Sequence, residues 1–293
     1  MKFTPFRVLL FVFAIAGLWS CGNSSKENSS DEFNKAEESL KDQVEDLVYN
    51  LPSPHEIPYL LETTGAEFNQ GLVNDNKKVD QYLTRSEKAA MNLGVYATDI
   101  GYLSSYDKTQ DAIDYLNASK KLADNLGILG AFDVTILERF EANIGNKDSL
   151  ANLLDKTISE TDAYLQDNSR DKLAALMLAG SAIEGLYIST GVIKSYPKDL
   201  LPDDARNLVL TPLIRVILEQ EKSVSELLKM MSKQEQTEPV TTMVADLTTL
   251  EASYRSLNID EQLKNNQGNL VLTDKNLADI TSIVEKMRKS IVE

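Results

Sequence analysis

The stretch Leu173-Ala174-Ala175-Leu176-Met177-Leu178-Ala179-Gly180-Ser181-Ala182-Ile183-Glu184-Gly185-Leu186-Tyr187-Ile188-Ser189-Thr190-Gly191-Val192-Ile193 carries a single charge, Glu184. A strand of that length is rare, whereas a helix accommodates it easily. Hydrophobic all round, such a helix belongs either in a membrane or at the centre of other helices. A carboxylate at bilayer centre costs about 2.5–3.5 kcal/mol, and Ser, Thr and Gly dilute the remaining apolarity. The stretch therefore reads as the central helix of an all-α domain, over 170–194, with its glycines permitting close approach by neighbours.

Working outward, nearly every segment shows helical spacing. Ser53-Pro54-His55-Glu56 combines an N-cap Ser, a Pro at the first helical position and a Glu at the third, predicting a helix through Phe68. Thr84-Arg85-Ser86-Glu87 is a second capping box, opening a helix to about Tyr106. Lys108 to Leu126 follows, with Ala112, Tyr115, Leu116, Leu122 and Leu126 on one face and Gly127 as its stop. Further helices are expected over 133–144, 148–166, 203–233, 239–257 and 274–292, the last capped by Thr273. Pro212 should either kink the helix over 203–233 or start a second one capped by Thr211. Only Leu270-Val271-Leu272 prefers extension, and residues 258–269 read as a polar loop.

Two of these helices align at a shift of 85 residues. Arg85, Ala89, Ala90, Leu93, Ala97, Tyr102 and Ser104 fall on Arg170, Ala174, Ala175, Leu178, Ala182, Tyr187 and Ser189, and Asp99 falls on Glu184. A diverged tandem repeat of stacked helical hairpins explains this. The alternative is that Ala/Leu-rich amphipathic helices align with one another readily. Each acid precedes a tyrosine by three residues, Asp99/Tyr102 and Glu184/Tyr187, so acid and phenol share a helix face. These four residues are the candidate site. They form either a polar pocket for a small solute or cation, or a buried hydrogen-bond network with Arg85, Arg170 or Arg215 that fixes packing.

The chain holds 45 Asp+Glu against 30 Lys+Arg, with one His, one Cys and one Trp. Setting aside residues 1–20, which hold Lys2 and Arg7 and no acid, deepens the negative excess by two. Nucleic-acid binding, driven by Lys/Arg displacing counterions, is thereby excluded. One Cys and one His exclude an internal disulfide and a Cys/His zinc site. The acid-rich runs 107–114 and 199–204 lack the Gly and closing Glu of a calcium loop. His55 has no second His and reads as a surface or capping residue. No GxSxG or phosphate-cradling Gly loop is present, so no cofactor, metal or catalytic residue is expected.

Residues 1–20 read as a signal peptide: Lys2 and Arg7 precede an uncharged apolar run from Val8 to Leu18 that is shorter than the ~20 residues of a membrane span. The run ends in Leu18-Trp19-Ser20-Cys21, which resembles the lipobox of bacterial lipoproteins. That resemblance implies cleavage before Cys21 and acylation there with palmitate-type chains. It also implies anchorage to the cell envelope, with the outer membrane as the default because Gly22 follows. Residues 21–35, rich in Ser, Asn and charge, form the lipidated Cys and its disordered tether, and 36–293 the single helical domain. Leu51 to Glu56, Asn92 to Asp99 and Ile183 to Tyr187 resemble all-helical envelope lipoproteins of Bacteroidota. Asn92-Leu93-Gly94-Val95-Tyr96 with Gly101 looks like the opening of a tetratricopeptide-like hairpin reaching Tyr115.

The expectation is a non-catalytic, lipid-anchored envelope protein that uses its helical surface to bind a protein partner or scaffold a complex. The alternatives are a lipoprotein capturing a small polar solute in a core pocket, and a hydrolase with paired carboxylates.

Overall fold

A computed structural model describes residues 64–128, 170–197, 202–257 and 274–293, with a few isolated positions between 139 and 156. All of them lie in one compact unit, Gln43–Glu293. Among the described residues there are seven helices of three turns or more: α1 Ser86–Ser105, α2 Thr109–Asn125, α3 Asp171–Ser195, α4 Asp203–Leu218, α5 Glu221–Lys233, α6 Glu238–Ser256 and α7 Asp274–Val292. No strand occurs among the described residues, and the fold is all-α.

The α1–α2 hairpin closes tightly because both of its ends are well capped. Asp107 takes a left-handed conformation (φ 57°), the Asp107 N–H donates to Ser104 O and the Lys108 N–H to Leu103 O. Gly127 (φ 66°) does the same for α2, with the Gly127 N–H on Asp124 O and the Ile128 N–H on Ala123 O. This double-bonded stop is the one glycine supplies most cheaply, and it sits where Gly127 predicts it. Arg170, just before α3, donates to Leu126 O (2.9 Å) and Gly127 O (3.1 Å), tying the two helix ends together.

α3 is the centre of the fold. It packs on α1, α7, α5 and α4, and no residue from Asp171 to Ile193 is exposed. Its length and apolarity would suffice to cross a membrane, but its apolar surface is spent on neighbouring helices. Along α1 and α3 the contacts away from their close crossing ascend together, Glu87 against Lys172 before it and Asp99 against Glu184 after it, so the two helices run parallel. Their approach is close. A Cβ on Gly94 would lie 2.0 Å from Met177 O, and one on Gly180 would lie 2.0 Å from Met91 O. Gly94, the glycine of the hairpin-like motif, is thus used against α3. Thr98 Oγ1 and Ser181 Oγ hydrogen-bond across the same seam at 2.8 Å. α5 and α6 form a second hairpin, and α7 packs against α3, α6 and α1.

Three expectations need correction. The helix expected through Phe68 does not extend over 64–69, which are a turn and irregular chain in which Gly65 is left-handed (φ 68°); 53–63 lie outside the described residues. Thr84 does not cap α1: its hydroxyl donates back to Gln81 O, and the helix starts at Ser86 after an extended Arg85. Pro212 does not start a second helix: it lies inside α4, exposed, and the single helix expected over 203–233 is two. The break falls at Glu219-Gln220 instead, within the polar run Glu219 to Ser223 that separates the buried Leu213, Ile214, Ile217 and Leu218 from the buried Val224, Leu227, Met230 and Met231. The helices expected over 133–144 and 148–166, the Leu270–Leu272 run, His55, Thr273, and the boundaries at 20 and 35 lie outside the described residues.

Candidate functional site

Before α1 the chain runs irregularly through two single 3-10 turns, Gln70–Leu72 and Asn76–Lys78, and one α-helical turn, Val79–Tyr82. Residues 69–78 form a strap across the α1–α2 hairpin, and buried hydroxyls hold it there. The Tyr102 hydroxyl accepts from the Asn69 N–H (3.0 Å), and the Tyr96 hydroxyl donates to Asp75 O (3.2 Å). Asn74, 1% exposed, is the strap's inward anchor. Its N–H donates to Asp99 Oδ2 (3.1 Å), and its amide group bonds the Tyr82 hydroxyl and Asn92 Oδ1.

Asp99 and Glu184 are both fully buried and lie within hydrogen-bonding reach of each other across the α1–α3 seam. On its other side Glu184 meets Arg288 of α7 in a two-pronged pair, Arg288 Nε to Oε2 at 3.1 Å and Arg288 Nη2 to Oε1 at 3.2 Å. The guanidinium also lies over the Tyr187 ring, 4.4 Å from its centre. The end of α7 is held by two further bonds: Asn92 Nδ2 donates to Ile291 O (2.9 Å), and the Tyr82 hydroxyl donates to Val292 O (3.1 Å). One network therefore joins the strap, α1, α3 and α7.

The electrostatics follow from burial. Burial and the neighbouring Glu184 charge hold the Asp99 carboxyl well above the usual carboxylate range, against the Asn74 N–H and Arg288. Burial also raises Glu184, with Arg288 opposing. Burial works against the Arg288 charge, but Glu184 outweighs it and keeps the guanidinium firmly protonated. Burial raises Tyr82 as well, so its phenol stays neutral.

No family model matches the chain. No curated protein and no solved structure matches it either.

The four candidate residues divide into two groups. Asp99 and Glu184, the residues aligned at the 85-residue shift, meet each other. Their tyrosines do not join them as phenols: Tyr102 stacks on Phe68 (5.5 Å) and binds the strap, and Tyr187 offers its ring face to Arg288. The expected arginines lie elsewhere, Arg85 with exposed Glu238, Arg170 at the end of α2, and Arg215 exposed on α4. The residues that complete the network are Asn74, Tyr82, Asn92 and Arg288. Asn92 had a signal in the sequence, since it precedes Asp99 by seven residues and so shares its helix face. Arg288 sits beside Met287 in the charged run Glu285 to Lys289, which reads as a solvated surface.

A cleft of about 220 Å³ opens elsewhere on the domain, lined by Arg85, Lys88 and Met91 near the start of α1, Glu238 and Met243 of α6 and Ile291 of α7. Asp99 and Glu184 do not line it. Among the described residues no group of three or more His, Cys, Asp or Glu is placed to hold a metal ion. Cys21 lies outside them.

Proposed function

We propose that this chain is a lipid-anchored cell-envelope protein without catalytic activity, in which the helical domain serves as a scaffold for a protein partner. The observation that carries the reading is the state of its two core carboxyls. Asp99 and Glu184 are fully buried and committed to internal partners, Asn74 on one side and Arg288 on the other. A hydrolase with paired carboxylates needs both groups open to substrate, about 5 Å apart or more. A solute bound at Glu184 would have to displace Arg288. The carboxyls instead brace the helices whose outer faces form the interaction surface. The anchor is the acylated Cys21, and two or three acyl chains at about 0.8 kcal/mol per buried CH₂ hold a protein stably on a bilayer.

Native mass spectrometry of the full chain, extracted with mild detergent from its own envelope, tests both halves. The expected result is a mass carrying acyl chains together with a stoichiometric protein partner, with both the chains and the membrane association lost in Cys21→Ser. An unacylated mass in the wild type overturns the anchor. A small-molecule adduct in place of a protein partner overturns the scaffold in favour of solute capture.

A further inference from the structure

Buried groups must balance their charge, and the Asp99–Glu184–Arg288 cluster balances only with one added proton. Arg288 spends two of its donors on Glu184, which leaves no cation for a second carboxylate in the same pair. Geometry locates the proton. Asp99 Oδ2 accepts from the Asn74 N–H, whereas Asp99 Oδ1 is fully buried and has no N–H or hydroxyl donor. An oxygen that carries its own hydrogen needs none, and the facing Glu184 carboxylate is the acceptor in reach.

We propose that Asp99 and Glu184 share one proton, and that this proton pins the strap 69–78 and α7 onto the α1–α3 seam as a latch that releases when the proton is lost to alkaline solution. The proton passes from the Asp99 hydroxyl to solvent base, leaving two carboxylates against one guanidinium. Relief requires water at the pair, and the two elements that cover it are the strap, through Asn74, and the end of α7, through Arg288. The seam itself does not part, because Gly94 and Gly180 hold α1 and α3 backbone to backbone.

The other groups around the pair do not supply the switch. The Tyr82 phenol, from the turn before α1, is raised by burial; so are Tyr96 of α1 and Tyr115 of α2, and all three stay neutral while the carboxyls titrate. Lys88 lies over the Tyr82 ring at 5.7 Å, Tyr187 of α3 faces Arg288, and Asp75 of the strap is exposed. The sign is therefore set by Asp99. A carboxyl raised in the folded state contributes stability that is complete below its unfolded value, about 3.9, and is lost as pH rises through its folded value. The inference does not depend on the proposed scaffold role.

Amide hydrogen exchange on the full chain from neutral to alkaline pH, corrected for the intrinsic rise in exchange rate, tests the latch. Between neutral pH and the pH at which the closed pair titrates, opening of the strap and of the last turns of α7 should increase about tenfold per pH unit, the slope of one proton, and level off above it. Amides of α1 and α3 along the seam should keep their protection. Asp99→Asn should abolish the slope, because its Nδ2 can donate to Glu184 where the proton did while its Oδ1 accepts from Asn74. A flat wild-type profile, or an equal slope in Asp99→Asn, overturns the proposal. A second measurement needs no variant: at neutral pH the infrared spectrum should show a protonated carboxyl band that shifts on ¹³C-aspartate labelling. Its absence overturns the shared proton directly.

Discussion

Glu184 and Arg288 differ in how far they reach toward water: the Glu184 side chain is 0% exposed and that of Arg288 14%. Glu184→Gln keeps the shape but leaves the guanidinium largely buried and unpaired, and breaking a buried pair by removing one partner typically costs about 3–5 kcal/mol. Urea unfolding should therefore show Glu184→Gln destabilised on that scale. Pairing it with Arg288→Met should recover much of the loss, since no stranded charge remains. If Glu184→Gln alone is near neutral, Arg288 finds water in the folded state and the network is not a brace. The acids of this site were legible in the sequence because each interrupts an apolar run, where a charge is conspicuous. Their partners were not. Arg288 lies among charged neighbours, and Asn74 lies in a segment without periodicity, so only the long-range fold brings them to Asp99 and Glu184.

At the scale of elements, the α1–α3 seam depends on two missing side chains. Gly94→Ala or Gly180→Ala gains up to about 1 kcal/mol of helix propensity. Against this, the new Cβ would stand 2.0 Å from a backbone carbonyl oxygen of the facing helix, which no rotamer change can relieve. Overpacking of this kind costs about 1–3 kcal/mol and occasionally more, so both variants should unfold at lower denaturant than the wild type. Gly191→Ala is the control. Its Cβ would meet Leu72 Cδ2, the end of a flexible side chain, and its effect should be distinctly smaller. Helices with local punctuation are legible: Gly127 ends α2, and the scarcity of charge marks α3. Errors came where punctuation was ambiguous. Thr84 matched a capping box but bonds backward to Gln81, and Pro212 is tolerated inside α4 while an unremarkable polar run makes the break. The strap leaves no periodic signature because Tyr96 and Tyr102 of α1 hold it, not its own sequence pattern.

At the scale of the molecule, the governing quantity is a formal charge of −15. Such an excess keeps a protein soluble and opposes its compact state by self-repulsion. Ion pairs such as Arg85–Glu238 and Lys289–Glu293 offset this only weakly, since both partners are largely exposed and pairs of that kind contribute about 0–1 kcal/mol each. Raising ionic strength from about 0.01 M to 0.15 M shortens the screening length from about 30 Å to about 8 Å. That change suppresses repulsion between acids far apart on the surface more than attraction within pairs already in contact, and it leaves the buried Glu184–Arg288 pair almost untouched. Thermal unfolding of the full chain should therefore move to higher temperature as NaCl is added, and a calcium salt at matched ionic strength should do no more. A Tm that falls with salt would mean that the surface pairs outweigh the net charge. A Tm that rises further with calcium would mean that a group of these acids binds the ion specifically, beyond screening.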